Sequence, residues 1–225
     1  MSETVGAICS GADFCQELAG CADTEFTRTY IGDPESRIIC RSSNLSLVAD
    51  LSPLAAGHLL LLSNRHYLSF GEVLSDHAEE VGEAFLHVFG KYAETFGDPV
   101  VLEHGSSRAM DGSACIAHAH LHLLPLRLGA VHEVMTSDGL SASELPGMDS
   151  LRIFGDQGLP YFYCGNRAVH RVYGVSRVMR RQYLRSVAGR LLGMADPEWD
   201  YAIVVRRQLL RATMAKTAGW TLTSS

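Results

Sequence analysis

The chain has 225 residues, a net charge of −6, and 47 % hydrophobic against 20 % charged side chains. That balance excludes an intrinsically disordered chain, and the length suits one generous domain, or a domain with an appendage, that folds without a disulfide or metal staple. The longest apolar runs, such as Leu59 to Leu62, fall far short of the ~20 residues of a membrane span. The start, Met-Ser-Glu-Thr-Val-Gly, lacks a basic segment followed by an apolar one, so the expectation is a cytoplasmic protein with no membrane partner.

Six cysteines (Cys9, Cys15, Cys21, Cys40, Cys115, Cys164) are scattered, and none forms a Cys-x-x-Cys pair, which argues against a cysteine-only zinc site. Charge is divided unevenly. Residues 1–149 carry 7 basic and 21 acidic side chains and residues 150–225 carry 12 and 4, so segments of −14 and +8 make up the −6. A basic final third on an acidic body is expected to dock onto that body; alone it is weak evidence for a nucleic-acid partner.

In chain order, the first 30 residues read as a short helix and a loop. Strands are expected at Arg37–Cys40, Leu45–Asp50 and His58–Ser63, with a turn at Leu51-Ser-Pro53 and Gly57. From Phe70 to Phe96 the apolar residues Val81, Phe85, Val88, Phe89, Tyr92 and Phe96 recur at three- and four-residue steps, which predicts one long helix stopped by Gly97. Val100–Glu103 and Cys115–Leu126 read as strands around a flexible loop, Gly105–Gly112. Gly129–Pro146 reads as a loop-rich junction. Beyond it come a hairpin (Tyr161–Cys164 and Ala168–Tyr173), a helix from Ser176 to Leu192 and a helix near Arg207–Ala218. Antiparallel strands interrupted by one long helix predict an α+β class.

The chemistry is concentrated in His118-Ala-His120-Leu-His122-Leu-Leu-Pro125. On a strand, side chains alternate, so the three histidines are expected on one face and Ala119, Leu121 and Leu123 on the core face. Two uses fit a row of imidazoles. One is a metal, for which His is the commonest transition-metal ligand; the other is phosphoryl chemistry, with one imidazole as nucleophile and its neighbours as donors to phosphate oxygens.

The segment resembles the signature of the histidine-triad (HIT) family of nucleotide hydrolases and transferases, His-φ-His-φ-His-φ-φ with φ apolar, at every position from His118 to Leu124. Asp50-Leu-Ser-Pro53-Leu-Ala-Ala-Gly57-His58-Leu-Leu-Leu-Leu-Ser-Asn-Arg-His66 is similar to the family's upstream block, and Glu103-His-Gly105 stands at its Asn-Glu-Gly-like turn. The resemblance covers roughly residues 37–127. It implies a HIT-like catalytic domain over residues 1–130, with an antiparallel sheet of about five strands and one long helix. A basic C-terminal α/β extension, residues 131–225, would pack on it.

The resemblance also implies roles. His120 would attack the α-phosphorus of a nucleoside 5′-phosphate derivative and form a nucleotidyl-histidine. His118 and His122 would surround the phosphate, His58 would complete the constellation, and Asp50 would accept bonds from the ribose hydroxyls. The small hydroxyl residue before the triad would be Ser113, while Cys115 stands three positions before His118; Ser113 or the backbone around Cys115 would handle the leaving group. Glu103 replaces an expected Asn, and an acid there would need a ribose, a cation or an arginine. On the C-terminal helix Arg177, Arg181 and Arg185 would form one basic face, and Arg181 or Gln182 would reach toward the nucleotide or a partner subunit's cleft. His66 and His104 read as structural. Cys15 remains from a zinc site of some bacterial members, but Ala12 stands in its partner's place, so neither a structural zinc nor an obligatory cofactor is expected. The expected activity is hydrolysis, in a homodimer. A nucleotidyltransferase or phosphorylase using the same intermediate, a specialised biosynthetic enzyme and a non-catalytic nucleotide-binding protein are the alternatives.

Overall fold

The computed structural model describes residues 13–107, 118–175, 179–195 and 204–223. Two short helices come first, α1 (Asp13–Leu18) and α2 (Glu25–Tyr30). Thr24 and Thr27 close a capping box at the start of α2, each hydroxyl accepting from the other's backbone N–H. Then follow β1 (Ile38–Arg41), β2 (Leu45–Ala49), β3 (Leu59–Ser63), the long α3 (Phe70–Phe96), β4 (Val100–Gly105) and β5 (His120–Leu124). The remainder comprises α4 (Leu128–Ser137), β6 (Ala142–Leu145), α5 (Arg152–Gln157), β7 (Tyr161–Gly165), β8 (His170–Gly174), α6 (Tyr183–Leu191) and α7 (Arg207–Lys216).

The class is α+β, and among the described residues the sheet has eight strands: the five expected in the first 130 residues (β1 to β5) and three more (β6 to β8) from the rest of the chain. Its order is β1-β2-β3-β5-β4-β7-β8-β6, antiparallel at every pairing. The larger size arises at β4. Its free side is taken by β7 through five registered pairs, from Val101↔Gly165 to Gly105↔Tyr161, and β8 and β6 continue from there. Strands on both sides of position 130 therefore share one hydrogen-bonded sheet. The stretch read as a loop-rich junction, Gly129–Pro146, instead holds most of α4 and all of β6.

α3 spans the length that its periodicity predicts. Ser69 caps it by accepting from the Glu72 N–H, and the helix kinks at His77 (φ −138°, ψ 33°). Its start lies close against α5: a Cβ on Gly71 would stand 2.6 Å from the Leu151 carbonyl oxygen, and one on Gly155 would stand 2.3 Å from the Gly71 backbone.

The sheet separates two environments. On one face the apolar side of α3 (Val81, Phe85, Val88, Tyr92) packs against Leu47, Leu59, Leu61, Val101, Leu121 and Leu123. On the other face there are two smaller apolar clusters. One joins Leu102, Leu124 and Phe162 to α4 and α6; the other joins Leu60 and Leu62 to Phe14 and Leu18 of α1. Arg37 lies beside the second cluster, 1 % exposed, paired with Glu17 at 2.6 Å and donating to the Ala49 carbonyl. Because β5 runs between β3 and β4, its polar side falls at the seam between the two clusters.

Candidate active site

The alternation of β5 places Leu121 and Leu123 in the α3 core and His120 and His122 on the opposite face. The register puts His122 beside Leu60 and Leu102, and His120 beside Leu62. His58 precedes β3 and shares that face. Its ring is fully buried, and its Nε2 lies 3.0 Å from His122 Nδ1.

Hydrogen bonds assign the tautomers. The Leu54 backbone N–H donates to His58 Nδ1 at 3.2 Å, so the proton of neutral His58 is on Nε2, from which it donates to His122 Nδ1. His122 then carries its own proton on Nε2. His120 Nδ1 donates to the His118 carbonyl oxygen at 2.7 Å, leaving a lone pair on His120 Nε2. Burial keeps all of these rings neutral. It pushes His58 down to about 4, against the influence of Asp50, and it lowers His122 further. Burial also lowers His120, with the Arg185 guanidinium acting in the same direction and the His118 carbonyl opposing it.

His118 departs from the expected shared role. It lies before β5, and both of its ring nitrogens are engaged away from the row. Nε2 donates to the Ser63 carbonyl oxygen at 2.8 Å, and Nδ1 faces the Cys15 thiol at 3.3 Å. Its contribution to His120 is the backbone carbonyl. The Phe14 ring meets both imidazoles edge-on, 5.8 Å from His118 and 5.7 Å from His120.

Asp50 also differs from the expected ribose acceptor. It is 4 % exposed, Oδ1 accepts from the Ser52 N–H at 2.7 Å, and Oδ2 accepts from Arg185 Nη1 at 2.9 Å. The same Oδ2 lies 3.6 Å from His58 Nε2. Burial by itself would raise this carboxyl, but Arg185, together with His58 and His122, outweighs it and holds Asp50 well below the usual carboxylate range.

Glu103 is not with the histidines. It faces the α3 side of β4, where its carboxylate accepts from the Phe70 N–H at 2.5 Å and from the Tyr161 hydroxyl at 2.7 Å. Burial pushes it up to about 7. The strand alternation that puts Leu102 beside His122 turns Glu103 away, so the position of the family's Asn is filled by a core acid at the start of α3. Ser113 and Cys115 lie outside the described residues.

Arg181 and Arg185 do not share the expected basic helical face. Gln182 adopts φ 55°, a left-handed conformation that ends helical continuity, so Arg181 lies in the preceding turn, exposed, and α6 begins only at Tyr183. Arg177 lies outside the described residues. The cation that reaches the site is Arg185, a residue sequence reasoning placed only on a basic face. His104 was read as structural. It packs on Phe162 at 4.7 Å on the histidine face, and burial, with a smaller influence from His120, pushes it down to about 4.

Two groups bring possible metal donors within 4.8 Å of one another: Cys15 with His66 and His118, and Asp50 with His58 and His122. The second already contains the Arg185 guanidinium at 2.9 Å and a complete hydrogen-bond chain, which makes it a poor cation site. The first offers one thiol and two imidazoles, a donor set suited to zinc. Cys15, His66 and His118 would hold such an ion, and its chemistry there would be structural, since His120 Nε2 and His122 Nε2 are not among the donors. Among the described residues no fourth donor joins them. The sequence already pointed to Cys15 as the remnant of a zinc site; that His118, 103 positions further along the chain, joins it was not legible there.

No family model matches the chain, and no curated protein matches it significantly. Solved structures to which it is similar include a hypothetical histidine triad nucleotide-binding protein from Sulfolobus tokodaii (19 % identity, 50 % of this chain and 66 % of that chain, TM-score 0.35). A Zn-bound histidine triad family protein from Mycobacterium smegmatis is similar at 20 % identity over 65 % of this chain and 94 % of that chain, TM-score 0.34. Yeast Ap4A phosphorylase in complex with AMP is similar at 12 % identity over 66 % of this chain and 64 % of that chain, TM-score 0.38. Histidine-triad proteins are what the chain is similar to, in the residues of its two motif blocks and among these solved structures.

Proposed function

We propose that the protein hydrolyses a nucleoside 5′-phosphate derivative at its α-phosphorus, with His120 as the nucleophile. The observation that carries this reading is the His120 hydrogen bond: with Nδ1–H held 2.7 Å from the His118 carbonyl oxygen, the in-plane lone pair of Nε2 remains for attack. The lone pair forms an N–P bond as the bond from phosphorus to the leaving group breaks, and the leaving group departs with the bonding electrons and takes up a proton. The carbonyl stabilises the positive charge that this leaves on the ring. His122 Nε2–H, oriented through His58 and Asp50, donates to a non-bridging oxygen and stabilises the charge there. Water then attacks phosphorus and releases a proton, which balances the one taken up by the leaving group, as the N–P bond breaks and its electron pair returns to His120.

The test is a His120→Gly variant assayed with a ribonucleoside 5′-phosphoramidate. Loss of turnover by about 10³-fold or more, with partial rescue by added imidazole, is expected. A variant within tenfold of the wild-type rate would overturn the assignment.

A further inference from the structure

In the loop between β2 and β3, the Asp50 carboxylate lies against the histidine relay, and each of its oxygens accepts from a protein donor. Oδ1 closes the turn onto the Ser52 N–H, and Oδ2 takes Arg185 Nη1 while facing His58. The second arm of the same guanidinium, Nη2, donates to the Ser52 carbonyl oxygen at 2.6 Å, so Arg185 is clamped to the loop at two points. Its side chain is 13 % exposed and that of Asp50 6 %. The segment before α7 closes the loop further. The Ser52 hydroxyl exchanges hydrogen bonds with the backbone of Val204, and Arg206 donates to the Pro53 carbonyl oxygen at 3.2 Å.

With the Asp50 side chain 6 % exposed, a sugar diol reaches its carboxylate only if a protein donor gives way, and displacing the guanidinium would leave a buried cation without its counter-ion, a cost that two neutral hydroxyls do not offset. We propose that Arg185 takes Asp50 out of sugar recognition and fixes its carboxylate beside His58 in the neutral His58–His122 relay, so that the enzyme selects substrates by their phosphorus centre and leaving group and accepts those without a ribose diol. The inference rests on the hydrolase reading for its substrate but not for its ion pair. Arg185 is a positioning residue: it acts on His122 through Asp50 and His58.

Two measurements test it. The first compares kcat/KM of the wild-type enzyme for a ribonucleoside 5′-phosphoramidate and its 2′,3′-dideoxy counterpart. A ratio within about threefold is expected, whereas a diol bound by a buried carboxylate would favour the ribose form by about ten- to a hundredfold, and a ratio above threefold overturns the proposal. The second is a double-mutant cycle of Asp50→Asn and Arg185→Met read by denaturant unfolding, with Arg185→Lys as the conservative control. Coupling of more than about threefold in the unfolding constant is expected for a buried pair. Smaller coupling means the pair is not formed and also overturns the proposal. If neither substrate is consumed, the hydrolase reading fails, and the cycle still decides whether Arg185 holds Asp50.

Discussion

Replacing Glu103 with Gln separates the two faces of the sheet, because it removes a charge from the α3 side without touching the histidine side. The structure gives the sign. Burial raises the Glu103 carboxyl from 4.5 to about 7, so between those pH values the folded protein binds a proton that the unfolded chain has lost. Stability from this group is therefore fully present below about pH 4.5 and is lost as pH rises through 7. The gap between the two values corresponds to about 3 kcal/mol. The buried histidines act in the opposite direction, since His58, His104 and His118 are held near 4 and favour the fold above pH 6.5. Comparing variant with wild type cancels them. Denaturant unfolding of both proteins at pH 5 and pH 8 should show Glu103→Gln gaining about 2.5 kcal/mol on the wild type between the two conditions. The constant offset between the curves depends on how Gln meets the Tyr161 hydroxyl, which already accepts from the Gly71 N–H. Turnover of a nucleotide substrate should change by less than about threefold. Parallel stability profiles would refute the account of a buried, proton-binding carboxyl, and a large loss of turnover would refute its separation from the site.

Glu17→Ala should destabilise the protein by about 3–5 kcal/mol, measured by chemical unfolding, because it strips the counter-ion from Arg37 inside the second apolar cluster; a loss under 1 kcal/mol would contradict the pairing. The acid limb of kcat/KM should have its midpoint below the ordinary histidine value of 6.5, since burial lowers His120 and protonation removes its lone pair. A midpoint above 6.5 would count against a buried neutral nucleophile. His58→Asn should lower kcat with little change in KM, because His58 touches His122 rather than substrate; a purely KM effect would argue against the relay.

Local patterns were legible in the sequence and long-range pairings were not. The three- and four-residue apolar steps of α3 gave its full extent, since its buried residues follow that period and Ser69 caps the start. The alternation of β5 assigned Leu121 and Leu123 to the core and His120 and His122 to the other face. α4 was missed because no side chain caps its start at Arg127 and only Val131 and Met135 are buried, too few for a clear period. β6 was missed because it is a four-residue edge strand, half polar and with no buried residue, paired with β8 alone. The role of Asp50 was set by Arg185, 135 residues away, and no local pattern encodes that meeting. The break at Gln182 likewise depends on a left-handed backbone conformation that its residue type does not announce. His118 precedes β5 by two residues, and its ring turns to Ser63 and Cys15, which strand alternation alone does not announce.

The central claim is that His120 Nε2 becomes bonded to phosphorus during turnover. Acid-free quenching of the wild-type enzyme with a ribonucleoside 5′-phosphoramidate, followed by mass spectrometry of the peptide that contains His120, tests it directly. The account predicts a nucleotidyl adduct on His120 that forms and decays at rates consistent with turnover. Active enzyme that never carries an adduct on that residue, or carries it on a different one, would contradict it.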